Sequence, residues 1–256
     1  MKHNIIRGLF MGLKILLAIC YILFFVFLPL YDKAYWPEPT KKSLANKIVA
    51  ATMFVAIGVL GMIISDNKTI FASTMIVGLI CGWFGDILMH IPSKKNMTCL
   101  YIGAVGFLVG HIFYVMAFVN GAKALSESYK FFTVPELIAF VVVYVAFLLM
   151  LKPVFKFTFD SKFLQYGLYL YGIFLIGMLF KVIAFAITYF KYGTENSIIS
   201  MFILIVAGIS FFVSDLTLGI RLLGGRKDSK FIKSLSLYTY FIAQLLLATS
   251  ILFIKI

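Results

Sequence analysis

Apolar residues run through this chain in long unbroken blocks separated by short polar stretches, and they do not alternate with polar ones. Blocks of that length suit membrane-spanning helices, each of which needs about 20 mostly apolar residues. Only helices and closed barrels satisfy their backbone within lipid, and a barrel would show alternation. The pattern predicts eight helices, at roughly 8–30, 47–65, 69–91, 99–119, 134–151, 163–187, 198–223 and 235–254. The intervening loops are short. The fold class expected is therefore all-α: a polytopic membrane bundle of eight transmembrane helices, forming one domain over residues 1–256. The longest polar insert, "YDKAYWPEPTKKSLANK", carries Tyr35 and Trp36, which suit a membrane interface.

A weak internal echo adds to this picture. "WFGDILM" in the third helix resembles "FVSDLTL" in the seventh. Each is followed, after a basic loop, by Leu-Tyr at the next helix: Leu100–Tyr101 and Leu237–Tyr238. Two related four-helix halves running in the same direction would produce such an echo, and so would chance between short apolar words.

Composition agrees with a membrane protein: 62% of residues are hydrophobic and the mean hydropathy is +1.04. The net charge of +13 does not point to nucleic acid, because the basic residues fall in loops between apolar blocks. There they act as topological charge and attract anionic headgroups. Lys and Arg are more numerous in the loops after helices 1, 3, 5 and 7, which puts both termini outside; Lys2, Arg7 and Lys14, before the core of the first helix, argue the other way. Cys20, Cys81 and Cys99 form neither a disulfide framework nor a zinc spacing. The N-terminal block has no small-residue cleavage site at its end, so it reads as a retained first helix.

Ionisable residues inside apolar blocks cost about 2.5–3.5 kcal/mol each at a helix centre, so each requires a reason. Glu136 has a structural one: "TVPE" is a capping box from Thr133, with Pro135 in the first turn. Arg221 precedes Gly224–Gly225, a helix stop, and is expected to snorkel to headgroups. Lys14 and Lys181 are expected to snorkel too, or Lys181 to pair with an aspartate. Asp86 and Asp215 fit no such account. Their short side chains do not reach water, and both lie at similar depth toward the same face, roughly 8–12 Å below the helix ends. Interhelical hydrogen bonding remains the plain structural alternative. His90, one turn after Asp86, reads as facing headgroups. His111 lies mid-helix with Tyr114 one turn on, beside Gly106 and Gly110, which allow close helix approach. Gln244 lies mid-span with Tyr240 one turn before it. The candidate site is thus Asp86, His111, Tyr114, Ser214, Asp215, Tyr240 and Gln244.

At these residues the chain resembles the YhhN family of membrane proteins, whose characterised animal members are lysoplasmalogenases. The resemblance lies in "GDIL" (Gly85–Leu88), "FLVGHIFY" (Phe107–Tyr114), "GISFFVSDLTL" (Gly208–Leu218) and "YFIAQLLLATS" (Tyr240–Ser250). It implies eight helices and hydrolysis of the vinyl ether bond of a lysoplasmalogen, giving a fatty aldehyde and a glycerophospho-headgroup. The chemistry needs a protonated acid, a nearby negative charge for an oxocarbenium ion, and an activated water, a problem that glycosidases meet with two carboxyl groups. If Asp86 and Asp215 converge, one holds a proton while the other is ionised. They are the expected acid/base pair, with either order open. His111, Tyr114, Ser214, Tyr240 and Gln244 orient water or the ether oxygen. Lys94, Lys95, Arg226 and Lys227 are candidates for the phosphate, against their plainer reading as topology charge. No metal or other cofactor is expected. The expected partners are a lysophospholipid and the bilayer, in a bacterial cytoplasmic membrane or an endoplasmic reticulum. Two rivals stand beside this. One is a metal-dependent lipid amide or ester hydrolase using Asp86, His90, His111 and Asp215. The other is a small-solute or proton-coupled transporter.

Overall fold

The computed structural model describes residues 2–67, 69–90, 97–193, 195–224 and 229–256. Among the described residues eight helices follow one another: α1 (Lys2–Ala34), α2 (Lys41–Ser65), α3 (Ile70–His90), α4 (Met97–Leu125), α5 (Val134–Met150), α6 (Lys162–Tyr192), α7 (Ser197–Leu223) and α8 (Lys230–Phe253). Seven are long and apolar enough to cross a membrane. The eighth, α5, has 17 residues. At 1.5 Å per residue it spans about 25 Å, short of a hydrocarbon core of about 30 Å. Eight predicted spans thus become seven long ones and a shorter apolar helix. Among the described residues there is no strand. The chain is an integral, multi-pass membrane protein.

Helix starts follow local chemistry. The Thr133 hydroxyl accepts from the Glu136 amide and the Glu136 carboxylate accepts from the Thr133 amide, which is the predicted capping box. A second box opens α2 six residues before its predicted start. Thr40 Oγ1 accepts from Ser43 N at 3.0 Å, and Ser43 Oγ accepts from Thr40 N at 2.8 Å. Serine here takes the place usually held by Glu or Gln. The consequence is large for Lys47, which the pattern assigned to a loop: it lies in the second turn of α2 and is buried.

Helix packing repeats between the halves. α1–α2, α2–α3 and α3–α4 pack in the first half; α5–α6, α6–α7 and α7–α8 pack in the second; α2–α8 and α4–α6 join them. Interchanging α1–α4 with α5–α8 carries this set of pairs onto itself, as duplicated halves would. α8 also packs against α3 and α1. The α3–α4 seam is close because glycines line it: a methyl added at Gly110 would lie 3.3 Å from the Gly78 carbonyl oxygen. Large apolar side chains on α1, α5, α6 and α7, among them Phe25, Leu149, Phe163 and Phe202, remain exposed for lipid.

The ends of α1, α3 and α7 and the starts of α2 and α8 gather on one face. Lys233 Nζ is 2.7 Å from Asp32 Oδ1, Arg221 Nη2 donates to Tyr35 at 3.2 Å, and the ring of His90 packs on that of Tyr35. Asp86 lies one turn before the end of α3 and Asp215 two turns before the end of α7, so both are toward that face.

Candidate functional site

The two aspartates Asp86 and Asp215 each sit in a buried polar group set into this apolar bundle. The first centres on Asp86, whose side chain is 2% exposed. Lys47 Nζ reaches its Oδ1 at 2.9 Å and also donates to its backbone carbonyl at 2.8 Å. The Tyr240 hydroxyl donates to Oδ2 at 2.8 Å. Gln244, one turn along α8, donates through Nε2 to the Tyr240 oxygen at 3.0 Å and accepts from the Tyr114 hydroxyl at 2.5 Å. Helices α2, α3, α4 and α8 thus contribute to one chain of hydrogen bonds. Small residues on α3 make room for it: a Cβ on Gly82 would lie 2.5 Å from Gln244 Nε2.

The second group centres on Asp215, whose side chain is 7% exposed. The Tyr171 hydroxyl of α6 donates to Oδ2 at 2.5 Å, and His111 Nε2 of α4 lies 3.4 Å from the same oxygen. The other ring nitrogen of His111, Nδ1, is 2.8 Å from the carbonyl of Phe107, one turn earlier. Rings of Tyr171 and Phe211 pack edge-on against the imidazole.

The two groups are neighbours but not one pair. Each carboxylate has its own donors, whereas the sequence led us to expect a shared pocket. The link is Phe211, whose ring packs against His111, Tyr114 and Tyr240 with centroids 4.8, 6.0 and 5.7 Å away. Asp86 takes the ammonium from α2 and Asp215 the phenol from α6. The arrangement follows the repeat. His111 follows Asp86 in sequence by as many residues as Tyr240 follows Asp215. Each of these rings serves the carboxylate of the opposite half.

Of the predicted residues, Asp86, Tyr240, Gln244 and Tyr114 fall in the first group, and Asp215 and His111 in the second. Ser214 falls in neither. Its hydroxyl donates to the Ser236 carbonyl at 2.9 Å and receives on its own carbonyl the Ser236 hydroxyl at 3.1 Å, so it clamps α7 to α8. His90 does not face headgroups: it is 5% exposed and bonds Ser43 Oγ at 2.9 Å. Lys181 is fully buried and pairs with Glu136 at 2.6 Å rather than with an aspartate, and it also donates to the Phe131 carbonyl, which ties the start of α5 to α6. Lys94, Lys95, Arg226 and Lys227 lie outside the described residues. Two residues of the site were missed. Lys47 read as a loop charge because a serine closes the capping box. Tyr171 was hidden in "LYLYGIF", where a tyrosine carries no distinctive signal.

Among the described residues no three or more His, Cys, Asp and Glu side chains gather as a metal site would need. The set proposed for a metal hydrolase is divided: His90 goes to Ser43, Asp86 to Lys47, and only His111 and Asp215 meet. No curated protein and no solved structure matches the chain. The YhhN family profile matches residues 42–251, a span that begins just before Lys47 and contains every residue of both polar groups. With that match covering most of its length, the chain belongs to the YhhN family.

Proposed function

We propose that this protein is a lysoplasmalogenase: a membrane hydrolase that cleaves the vinyl ether bond of a lysoplasmalogen to a fatty aldehyde and a glycerophospho-headgroup. The observation that carries this reading is two buried aspartates, toward one face of the bundle and joined through Phe211, each held by its own donors. Burying two carboxyl groups costs several kcal/mol each unless they are paired and bonded, and stability alone gains little from doing so twice. Family membership supports the same chemistry.

The reaction starts with a proton delivered to the alkene carbon, which leaves an oxocarbenium ion. Water adds to give a hemiacetal, which collapses to the aldehyde and releases the glycerol hydroxyl. Asp86 and Asp215 serve as the acid/base pair. His111, Tyr114, Tyr240 and Gln244 hold the carboxylates and the attacking water in register. The Ser214 hydroxyl donates to the Ser236 carbonyl and clamps α7 to α8. In a lysophospholipid the vinyl ether is attached to glycerol just below the phosphate. A site one to two turns inside the helix ends lies about 6–12 Å deep, where the reacting atoms would be. The alkyl chain then lies among apolar helices.

The test is mass spectrometry of products from purified, reconstituted protein given a lysoplasmalogen or its saturated-ether analogue. Aldehyde from the first and no product from the second is expected. Cleavage of both, or of neither while an acyl ester is hydrolysed, would overturn the reading.

A further inference from the structure

The polarity of the hydrogen bonds distinguishes the two carboxylates. Lysine is a donor with no acceptor, and a backbone carbonyl only accepts. Around Asp86, Lys47 serves Oδ1 and Tyr240 serves Oδ2. The donor chain runs from Tyr114 through Gln244 to Tyr240 and ends on the carboxylate. Both Asp86 oxygens therefore accept, and a cation neutralises the charge.

Around Asp215 the count is different. His111 Nδ1 faces the Phe107 carbonyl, so Nδ1 carries a hydrogen. In a neutral imidazole Nε2 is then bare. That nitrogen is buried, makes no hydrogen bond within normal limits, and faces Asp215 Oδ2 at 3.4 Å. A bare nitrogen against an ionised oxygen sets lone pair against lone pair away from water, which is costly to both. A single proton between them removes the conflict. Tyr171 donates its own hydrogen to the same oxygen, and among the described residues no lysine or arginine pairs with Asp215. The other titratable groups nearby are Tyr114 on α4 and, across Phe211, Tyr240 of α8 with its partner Asp86 of α3.

We infer that Asp86 is a fixed carboxylate and that the His111–Asp215 pair holds one transferable proton between Nε2 and Oδ2, making that pair the proton donor of the site. What the proton is used for rests on the hydrolase reading; its presence does not. In the reaction the proton leaves the pair and forms a C–H bond with the π electrons of the vinyl ether. The positive charge moves to the carbon bearing oxygen, and neutral His111 and ionised Asp215 remain. Water then bonds to that carbon and gives a proton to Asp86. Asp86 passes it to the glycerol oxygen as the carbon–oxygen bond breaks, and the remaining hydroxyl of the hemiacetal returns its proton to the His111–Asp215 pair. One water is consumed and both groups are restored. Lys47 is a positioning residue here, keeping Asp86 ionised before the reaction.

The experiment counts protons in the resting full-length protein, reconstituted in lipid nanodiscs, without turnover. Infrared difference spectra report carboxylic acid groups, and nitrogen NMR of labelled histidines reports the state of His111. The expected result is one proton, seen as an acid band or as a doubly protonated His111 ring, absent in Asp215→Asn and His111→Gln and kept in Asp86→Asn. Lys47→Gln should add an acid band that Asp86→Asn removes. Asp215→Glu, which keeps the acid, should keep the signal and serves as control if the Asn variant folds poorly. An acid band belonging to Asp86 in the unaltered protein, or a neutral His111 with a bare Nε2 beside an ionised Asp215, would overturn the inference. Because no substrate is involved, such a failure is distinct from absence of lysoplasmalogen cleavage.

Discussion

Removing Lys47 should unfold much of what holds α2 to α3. Its ammonium makes the 2.9 Å ion pair with Asp86, donates to the Asp86 carbonyl at 2.8 Å, and lies 5.8 Å from the centroid of the Tyr31 ring. Breaking a buried ion pair from one side costs about 3–5 kcal/mol, because the other charge is left unpaired. A neutral hydrogen bond between membrane helices contributes only about 0.6 kcal/mol on average, so the charge should dominate. Lys47→Met is therefore expected to raise the unfolded fraction about a hundredfold to a few thousandfold, since each 1.4 kcal/mol is about tenfold. Asp86→Asn should cost a similar amount by leaving the ammonium stranded. The double variant loses both charges together and should recover most of the stability, because replacing a whole buried pair is often neutral. The assay is equilibrium unfolding in mixed detergent micelles, read as a double-mutant cycle. Single variants costing under about 1 kcal/mol each, with an additive double, would refute the claim that a buried ion pair joins these helices.

Four further outcomes are expected. Gly78→Ala would place a methyl on the Tyr114 ring, and overpacking of this kind costs about 1–3 kcal/mol; thermal unfolding measures it, and an unchanged midpoint would refute the close contact. Tyr171→Phe removes the 2.5 Å donor to Asp215 without changing shape, so turnover should fall while helix content by circular dichroism is unchanged; full turnover would remove Tyr171 from the site. Glu136→Gln weakens the tie from α5 to Lys181, and faster hydrogen exchange at the start of α5 than elsewhere is the expected sign. In the loop between α4 and α5, burial, helped by Glu136 nearby, pushes the Tyr129 hydroxyl from its ordinary value near 10 up to about 12. Stability from that group is whole below pH 10 and is lost as the pH rises through about 12. Tyr129→Phe should therefore flatten the alkaline limb of a stability–pH curve.

Membrane helices and intramembrane carboxylates are legible in a sequence for the same reason: each contrasts with its surroundings. An aspartate at position 86 or 215, a histidine at 111 or a glutamine at 244 interrupts an apolar block and signals that something must satisfy it. What satisfies it is less legible. Lys47 sits among other basic residues near a helix start, and only the Thr40–Ser43 capping box places it inside α2. His90 reads as peripheral by position, yet Ser43 and the Tyr35 ring cover it because α1 and α2 meet over the end of α3. Ser214 stands beside a key aspartate, but neighbours in a helix point in different directions, and its hydroxyl goes to α8. Each carboxyl group has its own donors, and partner choice of that kind is not encoded in spacing along a helix. The internal echo proved informative in a way its weak letters did not suggest, since packing and carboxylate partners both follow the exchange of halves.

The most direct measurement is hydrolysis of a lysoplasmalogen by the reconstituted protein in heavy water, with mass analysis of the aldehyde. Proton transfer to the alkene carbon should leave one deuterium on the aldehyde's second carbon, and Asp86→Asn and Asp215→Asn should each lower the rate by about a hundredfold or more. An aldehyde without that deuterium, no aldehyde at all, or unchanged rates in both variants would contradict the assignment of these two carboxylates to vinyl ether cleavage.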